Sequence, residues 1–201
     1  MALKFAVNNS LSAVTTLPTA IPTGSMTLLQ TQTASNSSSL EFTTGIDSTY
    51  DVYCFSYINC HPITDNVQFQ INLSTDGGSN YNVTKTNSHF HAAHKEDDSN
   101  TFLNYASSYD LAQSTNNMAI TDSVGNDADH SASGYLYLYN PSNTTFVKHI
   151  LSVNNSNFVG TYTMQSFVGG YANTTSAIDA VRFTFSSGNI DSGDIKLYGI
   201  S

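Results

Sequence analysis

Three of the six histidines of this 201-residue chain, His89, His91 and His94, fall in the segment NSHFHAAHKEDDSN. Neutral imidazoles at such spacing can hold zinc, provided the backbone turns them to one side and each ring is oriented through its other nitrogen. On a strand, His89 and His91 point to one face and Phe90 to the other, with His94 expected from the following turn. The segment offers no clear orienting partner. A polar loop or subunit contact that uses imidazole as a flat hydrogen-bonding group is therefore the favoured reading, with the three rings as weak metal candidates, and no cofactor is expected.

Oxygen ligands cluster in TDSVGNDADH, where Asp122, Asn126, Asp127 and Asp129 surround Gly125. The twelve-residue calcium loop with its closing Glu is not matched, so solvated loop acids are expected. The chain carries no G-x-S-x-G, no phosphate-cradling G-x-x-x-x-G-K, no H-E-x-x-H and no dinucleotide fingerprint. Glu41 and Glu96 are its only glutamates, so a catalytic carboxylate pair would have to come mainly from scattered aspartates. We expect no enzyme. In GYLYLYN, Tyr135, Tyr137 and Tyr139 alternate with Leu136 and Leu138. If the leucines turn inward, the tyrosines form a ridge suited to contact with protein or sugar.

These residues need a scaffold, and the composition says which kind. Counting 28 Ser, 24 Thr and 21 Asn gives 73 small polar residues, types that favour strands and turns over helix interiors. Aromatic residues make up 11%, enough apolar area for one core in a chain of this length. The formal net charge is −9, and the six cationic side chains lie singly at Lys4, Lys85, Lys95, Lys148, Arg182 and Lys196. Without a basic stripe, nucleic-acid binding is not expected. The start MALKFAVNNS and the absence of a long apolar run lead us to expect neither signal peptide nor membrane anchor. Cys54 and Cys60 are separated by roughly 20 Å on an extended chain, so free thiols and a reducing site of synthesis are expected.

Two-residue alternation appears in Tyr53, Phe55 and Tyr57 and again in Phe69, Ile71 and Leu73. STDGGSNYN reads as a hairpin turn, and further strands are expected at 134–140, 146–153, 161–168, 180–186 and 194–198. Residues 87–130 alternate poorly and read as long loops with room for one helical turn. The expected fold is all-β, a jelly-roll-like antiparallel β-sandwich of roughly eight to ten strands preceded by an extended N-terminal arm. The arm is assigned to residues 1–30 and the sandwich to 31–201. Phe5, Val7, Leu11, Val14, Leu17 and Ile21 are spread through Ser, Thr, Asn and Pro, too irregular for a helix, and suit docking onto another surface.

A resemblance runs through most of the chain from about Gly45 to Ile200. GIDSTYDVYCFSYINCHPITDNVQFQINLSTDGGSNYNVT, SSYDLAQST, VGNDADHSASGYLYLYNPSNTTFVKHI, GGYANTTSAIDAVRF and SSGNIDSGDIKLYGI resemble small structural proteins of tailed bacteriophages that infect marine bacteria. His89 and His91 fall outside the shared pattern. The resemblance implies a non-enzymatic virion protein, a capsid decoration or head-fibre component with an outward-facing jelly roll. It would be made in the host cytoplasm, assemble as a homotrimer and dock on other virion proteins such as the major capsid protein. The rival expectation is a tail-fibre or receptor-binding protein that recognises a host surface glycan.

Overall fold

The computed structural model describes residues 26–158 and 160–201. The arm residues Phe5, Val7, Leu11, Val14, Leu17 and Ile21 lie outside the described residues. Twelve strands follow: β1 (Met26–Ser37), β2 (Leu40–Phe42), β3 (Val52–Pro62), β4 (Val67–Ser74), β5 (Lys85–Lys95), β6 (Thr101–Tyr105), β7 (Met118–Val124), β8 (Ala132–Tyr139), β9 (Lys148–Phe158), β10 (Tyr162–Ala172), β11 (Ala180–Phe185) and β12 (Ile190–Ile200). Among the described residues one 3-10 turn occurs, at Ser107–Tyr109. The ordered strand β1 already includes Met26 to Gln30, which the sequence reading had given to the arm.

The strands form two antiparallel sheets packed as a sandwich, one in the order β1-β12-β3-β8-β9-β10-β5-β6 and the other β2-β11-β4-β7. Within them, the quartets β1-β12-β3-β8 and β2-β11-β4-β7 have the connectivity of a jelly roll, successive strands passing from one sheet to the other except β4 and β7, which are neighbours in the same sheet. Two hairpins are inserted: β5-β6 between β4 and β7, and β9-β10 between β8 and β11. Both add to the same edge of the first sheet and carry it to eight strands.

This topology corrects two local expectations. The STDGGSNYN segment is a crossover rather than a hairpin, because β4 and β5 belong to different sheets; Gly77 and Gly78 still take the expected positive φ of 70° and 87°. Residues 87–130 hold β5, β6 and β7, not long loops. The alternation in β5 is hidden in the sequence because polar groups face inward: Asn87, His89 and His91 are buried while Ser88 and Phe90 are exposed. In β7 all seven residues are buried, which removes the period altogether.

The core lies between the jelly-roll quartets and is aromatic. Phe183 meets Phe55 and Phe69 at centroid distances of 5.3 and 5.7 Å, and Phe42 packs edge-on against Phe55 at 5.3 Å. Burying one such ring is worth about 3–5 kcal/mol against truncation to alanine. Tyr57 is equally buried, and its hydroxyl meets Ser152 Oγ at 3.2 Å. Gly193 permits the bulge where β12 crosses β3: its φ is +123°, and a Cβ there would stand 2.7 Å from Asn59 O and from Cys60 Cα. Cys54 and Cys60 are buried as free thiols on β3.

Candidate functional site

The inserted strand β5 brings His89 and His91 to the inner face, against β7. The two rings stand 6.0 Å apart, and His89 is 5.2 Å from the Tyr109 ring. His91 Nδ1 lies 2.9 Å from Asp122 Oδ2, at ion-pair distance but off the line of a good hydrogen bond. Asp122 Oδ1 accepts the Tyr109 hydroxyl at 2.5 Å and the Ser123 backbone N–H at 2.7 Å. His89 is wholly buried, and neither ring nitrogen has a hydrogen-bond partner among the described residues. Burial pushes its pKa down to about 4, against the opposing pull of Asp122 and Asp110. Tyr109 is pushed up to about 12 by burial and by the Asp122 carboxylate it bonds.

His94 does not join them. It sits on β5 itself rather than in a turn, so strand alternation turns it to the opposite, exposed face, where Nε2 meets Asp98 Oδ1 at 3.0 Å. Of the calcium candidates, Asp122 is buried in β7, whereas Asn126 bonds Asp65 and the Ile63 carbonyl, and Asp127 lies 3.9 Å from His130. Asp129 lines a separate hollow beside His61 and His130. Among the described residues no three His, Cys, Asp or Glu side chains are grouped to hold a metal ion.

Tyr109 also belongs to a cleft of about 630 Å³ over the outer face of the four-stranded sheet. Its floor is the polar side of β4, Gln68, Gln70 and Asn72, beside Arg182 of β11. Tyr81 and the segment from Ser108 to Asn117 form its walls. That segment is fixed to β5 by reciprocal backbone bonds between Lys85 and Ser114 of 2.8 and 3.0 Å and by Asn87 N–H donating to Leu111 O at 3.1 Å. Asn72 ties floor to wall, its Nδ2 donating to Thr115 O at 3.1 Å and to Asn117 Oδ1 at 2.9 Å. Beneath it the fully buried Lys85 donates to Asn72 Oδ1 at 2.6 Å and Val83 O at 2.7 Å. Burial lowers the Lys85 pKa to about 8. The cleft escaped the sequence reading, although VQFQINLS carries the signal: an alternating strand whose outward set is Gln, Gln, Asn.

The third feature is the outer face of the eight-stranded sheet. Tyr135, Tyr137 and Tyr139 stand outward with centroid spacings of 5.3 and 6.1 Å, while Leu136 and Leu138 are buried, as the alternation implied. Register extends the ridge across strands. Tyr135 opposes Val153, then Phe167, Phe90 and Tyr105, an uncharged row from β8 to the β6 edge. Phe90 and Phe167 stack at 5.0 Å and 9° in the open, with Phe90 44% exposed. Beside this row Tyr198, Cys54, Tyr137 and Leu151 lie in register. Neither a protein-family model, nor a curated protein, nor a solved structure matches this chain.

Proposed function

We propose that this chain is a non-enzymatic structural protein of a tailed-phage virion, a capsid decoration or head-fibre component that works as a homotrimer on the particle surface. The uncharged aromatic face from Tyr135 to Tyr105 supports this reading. Exposed apolar patches of this extent belong to contact surfaces, and large aromatic side chains carry much of the energy of such contacts. The jelly-roll body and the resemblance to marine-phage structural proteins point the same way, and residues 1–25, which precede β1, are the proposed dock onto the major capsid protein. The buried His91–Asp122 pair suits a structural role, since His89 and His91 sit in a closed layer rather than an open cleft.

Multi-angle light scattering tests the assembly. The wild-type chain should run as a trimer at micromolar concentration, and the double variant Phe90→Glu, Leu151→Glu as a monomer. A monomeric wild type would refute it. A cryo-EM map of the intact particle tests the location.

A second reading, recognition of a host surface glycan, is favoured by one observation. The cleft over the four-stranded sheet is walled by side-chain amides and tyrosines, groups that match sugar hydroxyls and ring faces.

A further inference from the structure

We infer that this cleft is a binding site for an acidic saccharide, with Arg182 as the anchor for a sugar carboxylate. The inference rests on the second reading and gives it a ligand class. It is independent of assembly through the opposite sheet.

Arg182 is the only arginine of the chain and the only cationic side chain lining the cleft. Among the described residues it makes no ion pair, even though Glu41 is its cross-strand neighbour on β2. Its guanidinium is held instead over the Tyr81 ring, 4.4 Å from the centroid, and Nε is buried without a hydrogen-bond partner. A planar fork fixed by stacking and left unpaired in a molecule of net charge −9 is suited to a carboxylate, which it can take through two parallel N–H bonds.

The other lining groups select a sugar over other acids. Gln68 and Gln70 project from β4, and Asn116 and Asn117 from the wall. Gln68 and Asn116 each present both a donor and an acceptor, the pairing a sugar hydroxyl needs, and Gln70 adds its Nε2 donor, whereas Asn117 is engaged by Asn72 and by Gln70 Oε1 and serves to order the wall. The floor is already ordered by the Asn72 bonds to Thr115, Asn117 and Lys85, so little ordering remains for binding to drive. The one acid in the lining, Asp110, is occupied: Oδ1 accepts the His89 backbone N–H at 2.9 Å and Oδ2 the Tyr105 hydroxyl. Its charge is thus turned toward the protein. The cleft volume of about 630 Å³ lies in the range of small-ligand sites, roughly 300–1,000 Å³.

The test is saturation-transfer NMR and calorimetry on the full chain. The probes are tetrasaccharides of galacturonate, mannuronate and guluronate, a sialylated trisaccharide, and maltotetraose as the neutral control. At least one acidic probe should bind at least tenfold more tightly than maltotetraose. Arg182→Gln should lose at least tenfold, and Asn116→Ala, on the exposed wall, several-fold. Phe90→Glu, Leu151→Glu should bind as the wild type does. Absence of binding to every acidic probe at millimolar concentration, or equal affinity in Arg182→Gln with unchanged circular dichroism, overturns the inference. Tight binding by a wild type that scatters as a monomer would uphold the site and remove the assembly reading.

Discussion

Acidification from pH 7 to 5 should destabilise the fold through His89. The ring is fully buried with two unpartnered nitrogens, and its pKa falls from 6.5 to about 4 in the folded chain. Above pH 6.5 the ring is neutral in both folded and unfolded states, and the residue costs nothing. As the pH drops below that value the unfolded chain takes up a proton that the folded chain refuses, so stability is lost until about pH 4, where the loss is complete. At 1.36 kcal/mol per pKa unit the full loss is about 3 kcal/mol, and about 2 kcal/mol is already gone at pH 5. The groups facing the ring are included in that value: Asp122 and Asp110 favour the proton, and burial and His91 oppose it. The informative perturbation is His89→Leu, which keeps the site filled, carries no proton and breaks no bond, so at pH 7 it should change stability by less than about 1.5 kcal/mol. Urea unfolding followed by far-UV circular dichroism and tyrosine fluorescence, the chain having no Trp, should show the variant gaining about 2 kcal/mol on the wild type between pH 7 and 5. Equal losses in both proteins would refute the reasoning, because they would mean the ring is protonated in place.

Gly193→Ala should lower stability by at least about 2 kcal/mol, since a Cβ would meet backbone at 2.7 Å in a conformation that L residues avoid. For a domain of this size that is a fall in melting temperature of about 4 °C or more by calorimetry, and an unchanged value would show that the bulge repacks. Cys54 and Cys60 should both resist an aromatic disulfide reagent in the native protein and react once unfolded, because both are buried and burial raises the Cys60 pKa to about 12. Rapid labelling of either native thiol would contradict the packing of β3.

Jelly-roll strands such as β3 and β8 were legible because they have one dry face and one wet one. YDVYCFSYIN and GYLYLYN alternate as such strands must, and their inward and outward residues follow the pattern. The stretch from 87 to 130 was not legible, because there the period is masked: the inserted β5 turns Asn87, His89 and His91 inward, and β7, alone among the jelly-roll strands, has every residue buried. The cleft depends on which sheet each strand joins. Arg182 and Tyr81 are about a hundred residues apart in the chain, and no local spacing announces their contact. The histidine cluster was half legible: alternation pairs His89 with His91, but the partner Asp122 arrives from the other sheet.

The position of β12 between β1 and β3 also governs how the protein can be made. Met26 pairs with Ile200 and Val52 with the same residue, so the interior of the first sheet is complete only when the segment from Ile190 to Ile200 is available. The 127 residues between Pro62 and Ile190 take on the order of ten seconds to synthesise at about 5–20 residues per second. Throughout that interval β1 and β3 each present an unsatisfied edge to other nascent chains. Refolding from denaturant should likewise be slow for so non-local a pairing, in the millisecond-to-second range of β-sandwiches rather than faster. The yield of folded protein would then be limited by how long these edges stay open, and slowing translation late in the message would favour aggregates over folded protein.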